Sequence, residues 1–313
     1  MSDEAPTDEG TLDPWVAAWI EEDPNRAVPF DHFEPEMLAL ARGPQGGPPT
    51  KEIATITDEV VGIDGREIPI RIYEHDAAPT GVVVYFHGGG FVIGSIGLMD
   101  NVAREIAHWS GAVVVSVEYR LAPENPYPAG LDDCVAVTRW AQANASRFGV
   151  DPAAVAVAGE SAGGNLSAAV ALRLRDAGDS ALAAQALLYP GTSGRAITDS
   201  MREFDGLILS LGVMAKFNQA YTGGRDLDND PYATPLSAES LAELPPAFVL
   251  LGGSDLLRDE GRAYAHRLDD AGVDLVEKCY PGQPHGFLNF DFPAAAGAFE
   301  DVGTWLRTKL TAV

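Results

Sequence analysis

The sequence has few lysines and a large excess of acidic residues, which excludes partners that carry negative charge. Among 313 residues, Lys and Arg together number 21 against 46 Asp and Glu, and the formal net charge is −25. The lysines are Lys51, Lys216, Lys278 and Lys309. Nucleic-acid binding needs a basic surface to neutralise phosphates, and an anionic membrane repels an acidic protein. We therefore predict neither a nucleic-acid partner nor a membrane partner.

Cysteines and long apolar runs are also scarce. The two cysteines, Cys134 and Cys279, cannot form a disulfide framework, and neither has neighbours at metal-ligand spacing. Both lie in apolar surroundings, so we expect buried free thiols and no bound metal. No uncharged apolar run reaches about 18 residues, which argues against a transmembrane helix. The acidic amino terminus does not resemble a secretory signal. Together these features predict a soluble, cytoplasmic protein.

The acidic, lysine-poor composition has two explanations. Salt adaptation is one, because dissolved ions screen the repulsion between like charges on an acidic surface. The other is a GC-rich genome, which favours Ala, Arg, Gly and Asp over Lys. The composition does not decide between them.

Strand and helix patterns alternate along most of the chain. A hairpin is predicted around a turn at Asp64–Gly65, and continuous apolar runs then predict strands buried on both faces. The predicted strands are 52–60, 66–74, 82–86, 112–117, 155–158, 184–189, 247–251 and 274–280, and the predicted helices are 130–147, 163–176, 258–271 and 295–310. This alternation indicates an α/β fold with a mostly parallel sheet and helices on both faces.

Two segments depart from the alternation. Residues 1–50 are acidic and proline-rich, with short amphipathic stretches at Trp15–Glu22 and Glu34–Arg42 and a linker at Gly43–Pro49. Residues 191–245 separate two strands and are too long for a simple connection. We interpret this second segment as an inserted helical cap.

The motif Gly159-Glu160-Ser161-Ala162-Gly163 lies where a predicted strand changes to a helix. In this context the pattern G-x-S-x-G is typical of a nucleophilic serine. The turn must be sharp enough to strain the backbone of Ser161, so a side chain at position 159 or 163 would collide with it. The amino terminus of the next helix would favour negative charge near the serine. The alternative is a glycine-rich turn that only packs.

The motif His87-Gly88-Gly89-Gly90 directly follows the predicted strand 82–86. Its glycines leave the backbone free to aim N–H groups into a cavity, as in the loop that supplies oxyanion donors in esterases and lipases. Gly88 and Gly89 would donate together with the N–H of Ala162. A simple turn is the alternative, and a phosphate loop is excluded because no Gly-Lys-Ser/Thr follows. We interpret His87 as a structural or orienting group.

A general base is expected after Ser161, because the order in such folds is nucleophile, acid, histidine. His266 falls inside a predicted helix, whereas His285 falls in a loop at the end of a strand, where open α/β sheets carry their sites. The acid is predicted to be Asp255, which also follows a strand. Asp259 begins the next helix and is expected to serve its amino terminus.

Five motifs in this order resemble the hormone-sensitive-lipase-like family of α/β-hydrolases over about residues 50–312. They are HGGG at 87–90, YRLAPE at 119–124, GESAGGNL at 159–166, DLLRD at 255–259 and HGF at 285–287. The resemblance implies an α/β-hydrolase fold with eight strands, the second antiparallel, and esterase activity on short- to medium-chain esters without a cofactor. It implies Ser161, Asp255 and His285 as a catalytic triad, with Gly88, Gly89 and Ala162 as oxyanion donors.

The resemblance also implies a domain organisation. Residues 1–50 would be an amino-terminal cap segment, 51–190 and 246–313 the catalytic domain, and 191–245 the cap insertion. The edge strand 274–280 and the last helix could pair between two copies to form a homodimer. At position 160 the family commonly has Asp or Thr, and this chain has Glu160. We expect Glu160 to brace neighbouring loops, such as those of His87 or Tyr119-Arg120, rather than to take part in the chemistry.

The expected substrate is a small, uncharged ester that fits under the cap. Apolar residues of the insertion either line the pocket or form the cap's own core, and these are Phe204, Leu207, Leu209, Met214 and Phe217. Two rival functions remain. A non-catalytic receptor on this fold would lack the triad histidine, which is present here as His285. An amidase, a peptidase or an N-acetyl-ester deacetylase would share the triad, so a panel of matched esters and amides is needed to distinguish them.

Overall fold

The computed structural model describes residues 9–27, 33–43, 47–63, 65–194 and 197–313. Its strands are β1 (Thr55–Ile63), β2 (Arg66–Glu74), β3 (Val82–Phe86), β4 (Val113–Val117), β5 (Val155–Glu160), β6 (Ala184–Leu188), β7 (Ala247–Ser254) and β8 (Leu275–Pro284). Its α-helices are α1 (Pro14–Glu22), α2 (Pro35–Ala41), α3 (Asp100–Ser110), α4 (Ala129–Asn144), α5 (Ala162–Ala177), α6 (Asp199–Glu203), α7 (Leu211–Thr222), α8 (Arg258–Asp270) and α9 (Pro293–Leu310). The predicted series of elements is confirmed, and α3 is an addition to it.

The strands form one sheet in the order β1-β2-β4-β3-β5-β6-β7-β8. β2 runs antiparallel to β1 and β4, and the pairs from β4 to β8 are parallel, which confirms the predicted eight-stranded, mostly parallel sheet. Every residue of β3 to β7 is buried, because helices cover both faces of a parallel sheet. The carboxyl ends of these strands meet along one edge of the sheet, where the functional motifs lie.

Two helical segments lie over that edge. The chain between β6 and β7 contains α6, α7 and a 3₁₀ turn at Pro235–Ser237. Leu38 of α2 belongs to the same apolar cluster as Phe217 of α7, and the ring of Phe33, just before α2, lies 5.4 Å from that of Phe217. The amino-terminal stretch before β1 and the long β6–β7 connection therefore meet in a small apolar cluster, to which Val92 and Ala122 also contribute.

Some sequence predictions shift or fall outside the described residues. Gly65 has a positive φ of 76°, as a tight hairpin turn requires, and Asp64 is outside the described residues, as are residues 44–46 of the predicted linker. Cys134 is a buried free thiol as predicted, whereas Cys279 is only partly buried, because β8 is an edge strand. Among the described residues, no helix is long and apolar enough to cross a bilayer.

Candidate active site

Ser161 occupies the sharp turn between β5 and α5. Its φ is +55°, a left-handed conformation that non-glycine residues rarely adopt. The chain passes so close to itself here that a Cβ on Gly163 would lie 1.9 Å from the carbonyl oxygen of Phe86. A Cβ on Gly159 would lie 2.2 Å from the carbonyl oxygen of Gly163. The glycines flanking Ser161 are therefore required by backbone contact, as the sequence predicts.

Pairing of β7 with β8 brings Asp255 and His285 together. Ser254 pairs with Pro284 after an irregularity in the register, so the residues that follow each of them emerge side by side. The Nδ1 atom of His285 lies 2.9 Å from Oδ2 of Asp255, and its Nε2 atom lies 2.9 Å from Oγ of Ser161. The other Asp255 oxygen accepts the backbone N–H of Leu257 at 2.8 Å, which fixes the orientation of the carboxylate. The three side chains form one continuous hydrogen-bonded chain.

The electrostatic surroundings of His285 favour its protonated form. Burial of the ring by itself lowers the pKa, but the nearby Asp255 carboxylate, with smaller contributions from Glu160 and Glu260, outweighs burial. The net effect raises the pKa of His285 above its ordinary value of 6.5. An imidazole in this position can accept the proton of the Ser161 hydroxyl, and the buried Asp255 stabilises the resulting imidazolium.

The glycine loop at 87–90 approaches Ser161, but its N–H groups are not equivalent. The N–H of Gly88 donates to Oε1 of Glu160 at 3.2 Å, so it is already used within the protein. The backbone N–H groups of Gly89, Gly90 and Ala162 have no hydrogen-bond partner among the described residues. All three residues line the cavity at Ser161. The N–H groups of Gly89, Gly90 and Ala162 are therefore available to a ligand in the cavity, whereas the N–H of Gly88 is not.

Among the described residues, His87, His266 and Asp259 are not hydrogen-bonded to Ser161, His285 or Asp255. His87 is buried, stacks on Tyr119 at 4.4 Å and points Nδ1 at its neighbour's carbonyl oxygen, and burial lowers its pKa to about 4. His266 is an exposed residue of α8, as expected. Asp259, in the first turn of α8, accepts the backbone N–H of Ser200 at 2.8 Å. Asp259 therefore braces α6 and also places a negative charge in the first turn of its own helix, as predicted.

A second buried carboxyl group, Glu260, was not singled out from the sequence. It is 2% exposed, and it accepts hydrogen bonds from the backbone N–H groups of Thr192 and Ser193 and from the Ser193 hydroxyl. Burial raises the pKa of Glu260 to about 7, although these hydrogen bonds act in the opposite direction. Glu260 thus anchors the chain just after β6, on the cavity wall. The sequence signal that could have identified Glu260 is its position next to Asp259, in the first turn of the helix that follows β7.

Glu260 should make the free energy of unfolding depend on pH. A group with a raised folded-state pKa contributes stability that is present below its unfolded value of 4.5 and is lost as the pH rises through about 7. Relative to Glu260→Gln, the wild type should lose about 3 kcal/mol of unfolding free energy across that interval. Urea unfolding of both proteins across this pH range measures the difference. Parallel stability curves would show that Glu260 does not titrate there.

A cavity of about 430 Å³ opens beside Ser161 and His285. Apolar side chains of the insertion form much of its wall, and Leu209, Met214 and Phe217 are among them. Of the described residues predicted for this role, Phe204 and Leu207 do not line the cavity, and Phe204 packs with Met201 and Leu257 instead. Among the described residues, no cluster of three or more His, Cys, Asp or Glu side chains could hold a metal ion.

The fold and the site define an α/β-hydrolase with a Ser-His-Asp arrangement. A family model described as alpha/beta hydrolase fold matches residues 83–289. The carboxylesterase NlhH of Mycobacterium tuberculosis is 44% identical over 254 residues, 78% of this chain and 79% of that protein. The chain therefore belongs to the hormone-sensitive-lipase-like family of α/β-hydrolases, as its motifs indicate.

Two further relatives agree with this assignment. The arylesterase of Saccharolobus solfataricus is 36% identical over 244 residues, covering 77% of this chain and 79% of that protein. The solved structure of a hyperthermophilic esterase from the archaeon Pyrobaculum calidifontis superimposes with a TM-score of 0.86 at 35% identity, covering 96% of this chain and 99% of that one. The likeness therefore extends beyond the central sheet to the helices over its edge.

Proposed function

We propose that this protein is a serine carboxylesterase that hydrolyses short- to medium-chain carboxylic esters through an acyl-enzyme on Ser161. The observation that carries the proposal is the hydrogen-bonded chain Ser161–His285–Asp255, of which Ser161 and His285 line a largely apolar cavity. Relatives named as carboxylesterase and arylesterase support the same class of reaction.

Acylation follows from the positions of these groups. Nε2 of His285 takes the hydroxyl proton of Ser161 while Oγ attacks the ester carbonyl carbon. The carbonyl oxygen becomes an oxyanion that the N–H groups of Gly89, Gly90 and Ala162 stabilise, at the amino terminus of α5. The imidazolium then gives its proton to the departing alcohol, the C–O bond to the alcohol breaks, and the acyl group remains on Ser161.

Deacylation repeats these steps with water. His285 takes a proton from the water as its oxygen attacks the acyl carbon, and the returning proton goes to Oγ of Ser161 as the acid leaves. Asp255 keeps the Nδ1–H tautomer of His285 throughout, so that Nε2 can accept a proton at each step. All the groups that these steps require belong to the chain itself, which supports a reaction without a cofactor.

The cavity supports a preference for compact, uncharged substrates. Residues of the 191–245 insertion form part of the cavity wall beside Ser161. We propose that this insertion and residues 1–50, of which Leu38 shares an apolar cluster with α7, act together as the cap. A volume of about 430 Å³ is within the range of small-molecule sites and too small for a long acyl chain together with a bulky alcohol. A small-molecule ester is therefore the proposed partner, while the cytoplasmic location and the homodimer stay predictions.

The proposal is tested by a substrate panel. We expect the wild type to hydrolyse p-nitrophenyl acetate, butyrate and octanoate and to be much slower on the palmitate. Matched p-nitroanilides of the same acids distinguish an esterase from an amidase, since the same triad can serve both. A folded protein that cleaves the anilides faster than the esters, or that cleaves neither, would overturn the assignment as a carboxylesterase.

The pH dependence of kcat/KM should report His285. The reactive form is the neutral imidazole, so activity must fall as the pH drops through the pKa of His285. Because the surrounding carboxylates raise this pKa, the midpoint should lie above the ordinary value of 6.5. Rates on p-nitrophenyl acetate from about pH 5 to about pH 9 measure it. A rate that does not change over this range would rule out a histidine base.

A further inference from the structure

Glu160, the residue immediately before the nucleophile, makes an unusual set of contacts. It is 1% exposed, and its carboxylate accepts four hydrogen bonds. Oε1 receives the Tyr85 hydroxyl at 3.1 Å and the Gly88 N–H at 3.2 Å. Oε2 receives the Tyr189 hydroxyl at 2.8 Å and the Asn289 side-chain amide at 2.7 Å. The two oxygens of a carboxylate offer about four acceptor positions, so these four donors fill the acceptor capacity of Glu160.

These four donors come from four separate parts of the site. Tyr85 lies on β3, and Gly88 lies in the glycine loop that follows β3. Tyr189 directly follows β6, and Asn289 ends the 3₁₀ turn that begins two residues after His285. One side chain thus ties the oxyanion loop and the base-bearing turn to the backbone that carries Ser161.

We infer that Glu160 is a positioning residue, whose carboxylate holds the glycine loop and the His285 turn in register with Ser161. This inference rests on the proposed function, because it concerns the same reaction. Gly88, Gly89 and Gly90 have no side chains that could hold the loop in place, and Gly89 and Gly90 both have positive φ angles, at 114° and 59°. Such a backbone has many accessible conformations. The bond from Gly88 to Glu160 restricts them, together with the bonds that the carbonyl oxygens of His87 and Gly89 accept.

The position of the loop matters because the next N–H groups are the proposed oxyanion donors. Removing one oxyanion donor typically costs about 10²- to 10³-fold in kcat. A misplacement of about 1 Å at a reacting group costs about 10²-fold. Anchoring Gly88 therefore acts mainly on the transition state, where the oxyanion exists, and little on binding of the ester in its ground state. A purely structural brace would instead change stability and leave kcat of the folded protein intact.

Glu160→Gln is the primary test, because it keeps the volume of the side chain but replaces one acceptor oxygen with an N–H donor group. That group must face two donors on whichever side it takes. We expect kcat on p-nitrophenyl butyrate to fall about 100-fold with KM within about threefold. Affinity for a pentyl trifluoromethyl ketone should fall in parallel. Oγ of Ser161 adds to the carbonyl carbon of this inhibitor, and the hydroxyl proton of Ser161 goes to His285. The former carbonyl oxygen becomes an oxyanion at the position that the oxyanion of the ester reaction would occupy.

Further variants distinguish the length of the Glu160 side chain from its charge, and they provide a test that does not depend on Glu160→Gln being able to fold. Glu160→Asp keeps the charge but shortens the side chain by one methylene, so it should also lose at least about tenfold in kcat. Tyr189→Phe and Asn289→Ala each remove one donor and should lose about three- to tenfold in kcat with KM retained. Tyr73→Phe is the matched control, because it removes a buried tyrosine hydroxyl that donates to another carboxylate, Asp100, at 2.7 Å. Its kcat should be unchanged.

The outcomes are separable. If the wild type is active and folded Glu160→Gln keeps kcat and ketone affinity within about threefold, the positioning role is wrong and the proposed esterase function stands. Full activity in Glu160→Asp beside a large loss in Glu160→Gln would show that charge alone acts, which also overturns positioning. If Glu160→Gln does not fold, unchanged kcat in both Tyr189→Phe and Asn289→Ala overturns it. A wild type inert on every ester would overturn the proposed function together with this inference.

Discussion

Ser161→Ala is expected to lower kcat on short p-nitrophenyl esters by about 10⁶-fold, which leaves only the residual catalysis from substrate binding and the oxyanion donors. The loss is so large because Oγ of Ser161 forms the covalent bond to the acyl group, and no other described hydroxyl group is hydrogen-bonded to His285. The cavity and the triad partners remain in place, so KM should change little. Steady-state kinetics with several preparations of the purified variant measure both quantities.

A matched serine serves as the control for this variant. Ser110 is also buried, and its hydroxyl bonds the backbone at the carboxyl end of α3, at the opposite edge of the sheet. Ser110→Ala should keep wild-type kcat and lose only some stability. If Ser161→Ala retained more than about one per cent of wild-type kcat, the nucleophile would lie elsewhere.

Asp255→Asn should lower kcat by about 10⁴-fold while the fold is kept. An amide in this position can donate to Nδ1 of His285, which places the ring proton on Nε2. Nε2 faces Ser161 at 2.9 Å, and once protonated it can no longer accept the serine proton. The loss should be in kcat rather than in KM, and steady-state kinetics near the pH optimum measure it.

Asp259→Asn is the natural comparison, four residues along the same segment. Asp259 bonds Ser200 and Arg258 and makes no contact with His285 among the described residues. This substitution should leave kcat within about threefold and weaken only the attachment of α6. Equal losses in the two variants would indicate general damage to the segment, and Asp255 would then have no special part in the reaction.

Much of this site could be predicted because its determinants are local. G-x-S-x-G at a strand-to-helix junction needs only neighbouring residues to make the turn, and the structure shows why a Cβ at position 159 or 163 does not fit. Asp255 and His285 could be placed because each follows an apolar strand and parallel strands end at one edge. The buried strands likewise appear as continuous apolar runs.

The contacts that prediction missed join residues far apart in the chain. The N–H of Gly88 was expected to face the substrate, but Glu160 takes it, 72 residues away. No pattern around Gly88 reveals that partner. The extension of β8 to Pro284 depends on a register shift against β7, which arises from pairing rather than from periodicity. α3 begins at Asp100 without a side-chain cap, so the usual signal for a helix start is missing.

The sequence also could not show which apolar residues of the 191–245 insertion line the cavity and which pack against one another. The length of residues 191–245 predicts an inserted helical segment, and α6 and α7 are present there. Whether each side chain faces the cavity or the cap's interior depends on how these helices lie on the sheet and on α2. Phe217 both lines the cavity and packs on Phe33, whereas Phe204 lies in a separate cluster. Helical periodicity alone cannot separate these two positions.

The most direct test of the central claim, an acyl-enzyme on Ser161, is covalent labelling with diethyl p-nitrophenyl phosphate. Oγ of Ser161 should form a bond to phosphorus as p-nitrophenolate leaves, giving one equivalent of p-nitrophenolate per chain and complete loss of esterase activity. Intact mass spectrometry should show a single diethylphosphoryl adduct, and peptide mapping should place it on Ser161. An active enzyme that stays unlabelled, or that carries its adduct on another residue as activity is lost, would contradict the account.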